Sequence, residues 1–484
     1  MPDRPNFLLI MSDQHNPRVL GCAGDAVVRT PHLDALAAGG VRFTNAYCGS
    51  PLCVPSRMTF MASRHCSDLD VYTNGCYLAS DVPTFAHSLG AAGYEVTLGG
   101  RMHFLGPDQR HGFHKRLVGD VSSSVPGGPG VELGHIPTVS TGQSRASVEV
   151  SGPGRTSYQA FDAAVLAGCQ DYLRERAERP AGPFCLVAGF LMPHCPFIAP
   201  KALYDHYYER LTPPHLPDGY LDDVPEPVRS MRQRRGFDEL TPEQVRRARA
   251  AYYGLVEYFD GLVGRLLGTL REAGLAENTI IIYTSDHGDS IGANGWWCKT
   301  NFYEGAVGVP LIVNAPGVLH GPLACTANAS LLDLGPTMID YAGSRPLPRV
   351  AGRSLRPLLQ GAIPPEWDDT VFSEMVGYGD DPAGRMVKQG PWKLVHYDGF
   401  APLLFNLHDD PEELVNRAED PDLHGLREQL HQRALAGFDP HRSQGVLARR
   451  QGSLGFLGQW RAQFEAPDPD HWTPPPGTNI WPEE

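Results

Sequence analysis

The segment Cys53-Val54-Pro55-Ser56-Arg57 combines a thiol with a guanidinium at the predicted start of a helix. Pro55 and Ser56 are typical of a first helical turn, and an apolar stretch follows them. A thiol at a helix N-terminus beside an arginine lies in an electropositive environment, which favours the reactive thiolate. The segment therefore predicts a reactive cysteine at position 53, and a buried structural thiol is the alternative.

Carboxylates and an imidazole follow two other apolar runs and could bind a metal ion. Asp13 ends the first run, and Asp286 with His287 ends the second. Hard divalent cations prefer carboxylate oxygens, and a mixed Asp/His site also accepts transition metals. Gln14 could add an amide oxygen. The alternatives are a strand-end cap for Asp13 and an ordinary turn for residues 285–288.

Further polar side chains could bind or act on a tetrahedral anion: Arg57, Arg101, Lys299, His103, His194 and Asn74. Arginine binds such anions through its forked guanidinium, and lysine binds them as a point charge. Histidine titrates near neutral pH and can orient a nucleophile or protonate a leaving oxygen. A surface charge, a structural histidine or a turn asparagine is the alternative for each position.

Short apolar runs that end in polar residues alternate with helical patterns along the first three quarters of the chain. The runs are Asn6–Met11, Tyr94–Leu98, Phe184–Leu191, Thr279–Tyr283 and Val309–Val313. Continuous runs of this length are typical of strands that are buried on both faces. A capping box at Thr241–Gln244 begins a long predicted helix. The pattern predicts an α/β fold with a large, mostly parallel sheet, in which ligands bind beyond the carboxyl ends of the strands.

The pattern changes after about residue 365, where short alternating runs predict a small antiparallel sheet followed by a helix near residues 423–435. We therefore divide the chain into a catalytic α/β domain, residues 1–364, and a C-terminal domain, residues 365–484. Residues 119–158 are rich in Gly, Ser and Pro and predict a long loop near the site. The tail after Gly437 is expected to be extended and to pack over the body or over a neighbouring subunit.

Composition limits the partners of the 484-residue chain. A net charge of −14 and a pI near 5.7 disfavour nucleic acid, although local cations can still bind a small anion. The ten cysteines lack zinc-type spacing, which fits reduced thiols in the cytoplasm. No apolar stretch reaches membrane-spanning length, so we expect neither a membrane partner nor a leader.

Several motifs together resemble those of type I sulfatases in the alkaline phosphatase superfamily. They are Asp13-Gln14, Cys53-Val54-Pro55-Ser56-Arg57, Gly100-Arg101-Met102-His103, Pro193-His194, Ser285-Asp286-His287-Gly288, Lys299 after Trp296-Trp297-Cys298, and the C-terminal Trp392-Lys393 and Phe405-Asn406-Leu407. The run Gly106–Phe113 is similar to that of the bacterial choline-sulfatase-like branch, whose close relatives include phosphonate monoester hydrolases. The resemblance covers nearly the whole chain and implies an alkaline phosphatase-like fold.

The resemblance implies a formylglycine-dependent site. Cys53 would be oxidised to formylglycine by a formylglycine-generating enzyme, and the aldehyde hydrate would be the nucleophile. Asp13, Asp286 and His287, assisted by Gln14, would hold one divalent metal, Ca²⁺ or Mn²⁺. Many members have a second Asp at the Gln14 position and Asn at the His287 position, so the metal stays open between the two ions.

The resemblance also implies roles for the remaining candidates. Arg57 would support the hydrate, and His103 would hold its second hydroxyl group. Arg101 and Lys299 would bind sulfate oxygens, and His194 would protonate the leaving alcohol. A homo-oligomer is the quaternary structure that the choline-sulfatase-like branch suggests.

The expected function is hydrolysis of sulfate monoesters of small organic or sugar alcohols. A phosphonate monoester or phosphodiester hydrolase with the same site is the first alternative, because the tetrahedral anions differ little. An inactive binding protein is the second, and the presence of Cys53, Asp13 and Asp286 disfavours it. Residues 119–158 contain few aromatic side chains that could surround a quaternary ammonium, so choline sulfate is not specifically predicted.

Overall fold

The structure is a computed structural model that describes residues 4–125, 128, 131–315, 323–377, 379–464 and 467–481. No helix within those ranges is both long enough and apolar enough to cross a membrane. The strands in those ranges are β1 (Asn6–Asp13), β2 (Val41–Phe43), β3 (Ala46–Tyr47), β4 (Glu95–Gly100), β5 (Lys115–Val118), β6 (Gly152–Pro153), β7 (Phe184–Pro193), β8 (Ile198–Ala199), β9 (Thr279–Ser285), β10 (Leu311–Asn314), β11 (Leu323–Cys325), β12 (Ala329–Ser330), β13 (Thr370–Met375), β14 (Gly384–Gln389), β15 (Trp392–Tyr397) and β16 (Leu403–Asn406).

Eight of these strands form the central sheet, in the order β11-β2-β10-β9-β1-β7-β4-β5. Strand β10 is antiparallel to both of its neighbours, and the other pairings are parallel. Every residue of β1, β7 and β9 is buried, as the continuous apolar runs predicted. The predicted large, mostly parallel sheet is confirmed.

Helices pack around the central sheet. The α-helices are α1 (Pro31–Ala38), α2 (Cys53–Ala62), α3 (Cys66–Leu69), α4 (Phe85–Ala91), α5 (Ala146–Glu149), α6 (Ser157–Glu178), α7 (Lys201–Tyr208), α8 (Tyr220–Asp223), α9 (Glu226–Arg234), α10 (Pro242–Glu272), α11 (Glu304–Val307), α12 (Leu334–Ala342), α13 (Arg356–Leu359), α14 (His424–Leu435) and α15 (Pro440–Arg461). The predicted capping box is present, because Thr241 Oγ1 accepts from Gln244 N at 3.3 Å and Gln244 Oε1 accepts from Thr241 N at 2.8 Å.

The C-terminal region contains the predicted small antiparallel sheet, β13-β14-β15-β16, and α14 packs against its two central strands. A buried charge cluster joins this sheet to the catalytic region: Lys393 of β15 lies 2.9 Å from Glu304 Oε1 and 2.7 Å from Glu413 Oε1. The domain division at residues 364 and 365 stays a prediction.

The tail differs from the expectation of an extended segment. Helix α15 occupies Pro440–Arg461, and the extended part of the tail follows it. The Asp439 carboxylate accepts the Arg442 N–H at 2.9 Å and Pro440 fills the first helical position, so an Asp-Pro helix start explains the difference. Residues 119–158 likewise contain α5 and β6 within the predicted loop; of that loop, residues 126, 127, 129 and 130 lie outside the described ranges.

Candidate active site

The carboxyl ends of β1 and β9 place two carboxylates side by side. The two strands pair in register up to Ser12 and Ser285, so Asp13, the last residue of β1, and Asp286, the residue after β9, are neighbours. Helix α2 begins at Cys53 against these strand ends, and its whole length is buried. Parallel topology therefore brings sequence positions 13, 53 and 286 to one point, as expected for the carboxyl edge of such a sheet.

Arg57, in the second turn of α2, bridges the two carboxylates. Its Nη2 donates to Asp13 Oδ2 at 3.0 Å and its Nε donates to Asp286 Oδ2 at 2.9 Å, with all three side chains fully buried. A buried arginine that pairs with two carboxylates offsets their desolvation and fixes their orientation. The Oδ1 atoms remain on the side of Cys53 and His287.

Asp13, Cys53, Asp286 and His287 each offer one ligand atom, and these atoms all lie within 4.8 Å of one another. The His287 Nδ1 lies 3.0 Å from the Gly288 carbonyl oxygen, so Nδ1–H donates there and Nε2 faces inward. Nε2 is 3.6 Å from Asp13 Oδ1 and 3.5 Å from Asp286 Oδ1. The Nε2 lone pair and the two carboxylate oxygens are all acceptors, so a cation between them would bind all three. This set of ligand atoms fits a divalent metal.

The Cys53 thiol lies among cationic and imidazole groups. Its Sγ is 3.1 Å from Lys299 Nζ and 3.3 Å from His287 Nε2, and it hydrogen-bonds to His103 and His194. Burial raises the pKa of this thiol, but these four neighbours together hold its pKa well below the usual value. These neighbours therefore favour the thiolate form of Cys53.

Arg101 and Lys299 supply the positive charge around this group. Arg101 Nε donates to Asp13 Oδ2 at 2.7 Å, and its Nη2 lies 2.9 Å from His103 Nδ1. Lys299 Nζ lies 2.8 Å from His194 Nε2. This concentration of buried cations would stabilise an anionic group bound beside them.

The surroundings of His194 shift its pKa in opposite directions. Burial and Lys299 lower the pKa, whereas Cys195 and Asp13 raise it, and the net result is a pKa of about 10. Lys299 Nζ can donate to His194 Nε2 only while that nitrogen is unprotonated. Protonation of His194 brings two N–H donors face to face, and a bound anion that accepts from both would relieve their repulsion.

Gln14 and Asn74 form hydrogen bonds that were not part of their predicted roles. The Gln14 amide oxygen accepts from Lys299 Nζ at 2.6 Å, and its NH₂ donates to Asp289 Oδ2 at 2.6 Å. The Asn74 Oδ1 accepts the Val54 N–H at 3.0 Å, which caps the first turn of α2. Metal binding by Gln14 and substrate binding by Asn74 stay predictions.

Two buried carboxylates beside the site were not singled out from the sequence. Asp120 Oδ1 accepts from Arg101 Nη1 at 3.1 Å, and its Oδ2 accepts from His103 N at 2.8 Å. Burial raises the pKa of Asp120, but Arg101 and His103 lower it to about 2, so the group is ionised at neutral pH. Asp289 directly follows the Asp286-His287-Gly288 run, and that position was the available signal for it.

The chain is similar to known proteins over most of its length. The sulfatase family model matches residues 5–344, and the model of the C-terminal region of N-sulphoglucosamine sulphohydrolase matches residues 292–437. Choline-sulfatase of Rhizobium meliloti (strain 1021) is 36% identical over 439 residues, which cover 86% of this chain and 83% of that protein. Arylsulfatase of Clostridium perfringens is 29% identical over 450 residues, covering 85% and 90%.

Among solved structures, the phosphonate monoester hydrolase of Silicibacter pomeroyi is similar, with a TM-score of 0.73 and 26% identity, covering 90% of this chain and 95% of that one. The match to the family model spans well over half of the chain, and the Rhizobium relative exceeds 30% identity. The chain belongs to the sulfatase family. Its activity is that of a sulfuric ester hydrolase.

Proposed function

We propose that the protein hydrolyses sulfate monoesters of small organic or sugar alcohols with Cys53 converted to formylglycine and one divalent metal. The observation that carries the proposal is the position of Cys53 Sγ, within 4.8 Å of donor atoms from Asp13, Asp286 and His287 and 3.1 Å from Lys299 Nζ. Conversion would require a formylglycine-generating enzyme during maturation.

The metal would be held by Asp13, Asp286 and His287, with Ca²⁺ or Mn²⁺ as the candidates. When bound, such an ion lowers the pKa of a coordinated nucleophile and neutralises charge on a sulfate oxygen. Gln14 supports the site through Lys299, because its amide oxygen accepts from Nζ at 2.6 Å.

Residue 53, as the aldehyde hydrate, would attack the sulfur atom with one hydroxyl oxygen while the S–O bond to the alcohol breaks. Deprotonation of its second hydroxyl group would then break the C–O bond to the bound sulfate, which releases sulfate and restores the aldehyde. His103 hydrogen-bonds to the side chain of residue 53 and would hold the second hydroxyl group. Arg57 holds the carboxylates that flank the nucleophile.

The substrate anion would lie beside Arg101 and Lys299, whose side chains are almost fully buried. Buried donors of fixed orientation stabilise charge on sulfate oxygens in the transition state more strongly than solvated ones. His194, with a pKa of about 10, is protonated at neutral pH and would donate its proton to the leaving alcohol oxygen.

The proposal is tested with initial rates on an aryl sulfate and on the matching aryl phosphonate monoester. One preparation is used for both substrates, and the conversion of Cys53 is measured by peptide mass. We expect the sulfate to be preferred. A preference for the phosphonate would instead assign phosphonate monoester or phosphodiester hydrolysis, the function that the similarity to the Silicibacter pomeroyi enzyme favours.

The role of residue 53 is tested with Cys53→Ala and a matched control, Cys185→Ala. Both cysteines are buried, but Cys185 lies in β7, and burial alone raises the pKa of its thiol. We expect Cys53→Ala to abolish turnover without unfolding the protein, and Cys185→Ala to keep turnover. Residual turnover by a pure Cys53→Ala sample would rule out the formylglycine mechanism.

A further inference from the structure

The last described segment of the chain, residues 467–481, lies against the loop that precedes α6, and we call this segment the strap. Asp120 N donates to Asp470 O at 2.8 Å, and Trp472 N donates to Asp120 O at 2.7 Å. Further along, Arg155 and Ile480 exchange two backbone hydrogen bonds, at 2.9 and 2.8 Å. The strap is thus paired with the loop at both of its ends.

Side chains reinforce the contact near Asp120. The Asp468 carboxylate accepts from Ser123 Oγ at 2.8 Å and from Ser124 N at 3.0 Å, and also from Ser124 Oγ. The Trp472 ring packs edge-on against Phe161 at a centroid distance of 5.3 Å. Hydrogen bonds to a carboxylate are stronger than neutral ones, so Asp468 fixes the loop firmly to the strap.

Gly119 permits this close approach. A Cβ atom added at position 119 would lie 2.1 Å from the Asp470 carbonyl oxygen, a distance that no real contact allows. The Gly119 backbone is not in the left-handed region, so alanine there would be strained only by the strap. The glycine is therefore required by the contact with the strap.

Asp120 connects this contact to the site. Its backbone N–H and C=O are both bound by the strap, while its two carboxylate oxygens accept from Arg101 Nη1 and from His103 N. A displacement of the Asp120 backbone would therefore move the acceptor that orients Arg101. Small displacements of a group that binds substrate reduce activity strongly, because binding geometry is sharply distance-dependent.

We propose that the strap positions Arg101 and His103 through Asp120, so that residues far from the nucleophile in sequence set the affinity for the sulfate group. Asp120 is a positioning residue in this arrangement, and the strap acts through it. The inference rests on the proposed function, in which Arg101 binds a sulfate oxygen.

The test compares the full-length Gly119→Ala variant with the wild type and with Gly458→Ala. A Cβ at Gly458, in α15, would meet nothing within 4 Å, so this control adds a methyl group near the C-terminus without a clash. The readouts are kcat and KM for an aryl sulfate, the inhibition constant of inorganic sulfate, and Tm. We expect Gly119→Ala to raise the inhibition constant about 10-fold, in line with the loss of one oriented charge-assisted contact, and Gly458→Ala to leave it unchanged.

A double-mutant cycle with Asp120→Asn separates positioning from general stabilisation. If the strap acts through Asp120, the Gly119→Ala/Asp120→Asn double variant should resemble the more impaired single variant. If the two substitutions act independently, their effects on the inhibition constant multiply, so two changes of about 10-fold would give about 100-fold in the double variant. That result would overturn the proposal. An inhibition constant within about twofold of the wild type in Gly119→Ala would also overturn it.

Asp468→Ala provides the same test if Gly119→Ala does not fold, because it removes the hydrogen bonds to Ser123 and Ser124 from the strap side. The outcomes also distinguish this inference from the proposed function. A wild-type enzyme that does not hydrolyse the aryl sulfate contradicts the proposed function, whereas an active wild type with an unaltered Gly119→Ala variant contradicts only the role of the strap.

Discussion

Two buried charge clusters in this protein each combine two carboxylates with one cationic side chain, in different arrangements. At the proposed active site, Asp13 and Asp286 share Arg57, and one oxygen of each carboxylate faces the lone pair of His287. At the junction with the small sheet, Lys393 lies between Glu304 and Glu413, and each carboxylate has that ammonium as its partner.

The difference lies in the direction of the carboxylate oxygens. The Lys393 cluster is closed by its own chain, since Glu304 N donates to Glu413 Oε2 at 2.6 Å and Tyr47 donates to Glu304 Oε2 at 2.8 Å. The active-site cluster directs acceptors towards one point, where a cation would complete it. Buried charges that pair only with one another are structural, whereas carboxylate oxygens that converge on one point beside an imidazole lone pair are suited to a cation.

Asp286→Asn gives the largest expected effect, because it removes one of the converging carboxylates. We expect kcat/KM to fall by about 10³-fold or more, since a bound metal supplies several kcal/mol of transition-state stabilisation. Burial and Asp13 raise the pKa of Asp286, although Arg57 lowers it, so the negative charge of Asp286 is disfavoured in the metal-free folded protein. Chemical denaturation in the presence of a chelator should therefore give nearly the same free energy of unfolding for Asp286→Asn as for the wild type. A loss of stability as large as that expected for Lys393→Met would contradict the contrast between the two clusters.

Lys393→Met should produce the opposite result. It leaves Glu304 and Glu413 buried without their cation, so the free energy of unfolding should fall by about 3–5 kcal/mol. Activity per folded molecule should be preserved, because this cluster does not touch the site. The check is urea denaturation together with turnover normalised to the folded fraction, and a selective loss of turnover would show that the cluster also serves catalysis.

The smallest effect is a change in pH dependence in Glu413→Gln. Burial and Glu304 raise the pKa of Glu413 to about 7, although Lys393 lowers it. Between about pH 4.5 and 7 the folded state therefore binds more protons than the unfolded state. The Glu413 side chain stabilises the fold fully below this window. As the pH rises through the window, the free energy of unfolding falls by about 3 kcal/mol because this contribution is lost.

In Glu413→Gln this contribution is absent, and the decline in stability across the window should be flatter than in the wild type. Unfolding free energies at several pH values between about 4.5 and 7.5 provide the measurement. Parallel curves for the two proteins would show that Glu413 ionises normally in the folded state.

Much of the fold followed from local patterns. The runs at Asn6–Met11 and Thr279–Tyr283 became adjacent buried strands, and residues Thr241 and Gln244 capped α10 as their spacing predicted. Helix α15 was missed, because its Gly-rich sequence has a low helix propensity and only Asp439-Pro440 marked its start.

Less of the candidate site than of the fold could be predicted from the sequence. Asp120 follows β5, the edge strand Lys115–Val118, which has no apolar run to mark it as a strand. The partners of Gln14 and Asn74 also depend on which loops lie opposite them, and spacing along the chain does not contain that information.

The sequence by itself determined the residue types, the strand ends that carry Asp13 and Asp286, and the helix that begins at Cys53. Those features follow from local burial patterns and turn chemistry, which are encoded over a few residues. Only the tertiary structure decided that Arg57 pairs with both carboxylates and that Asp120 holds Arg101. It also decided that the strap reaches the Asp120 loop, where His471 Nε2 hydrogen-bonds to the Val121 carbonyl oxygen across a separation of 350 residues in sequence. Such contacts depend on how distant segments pack, and no local pattern specifies them.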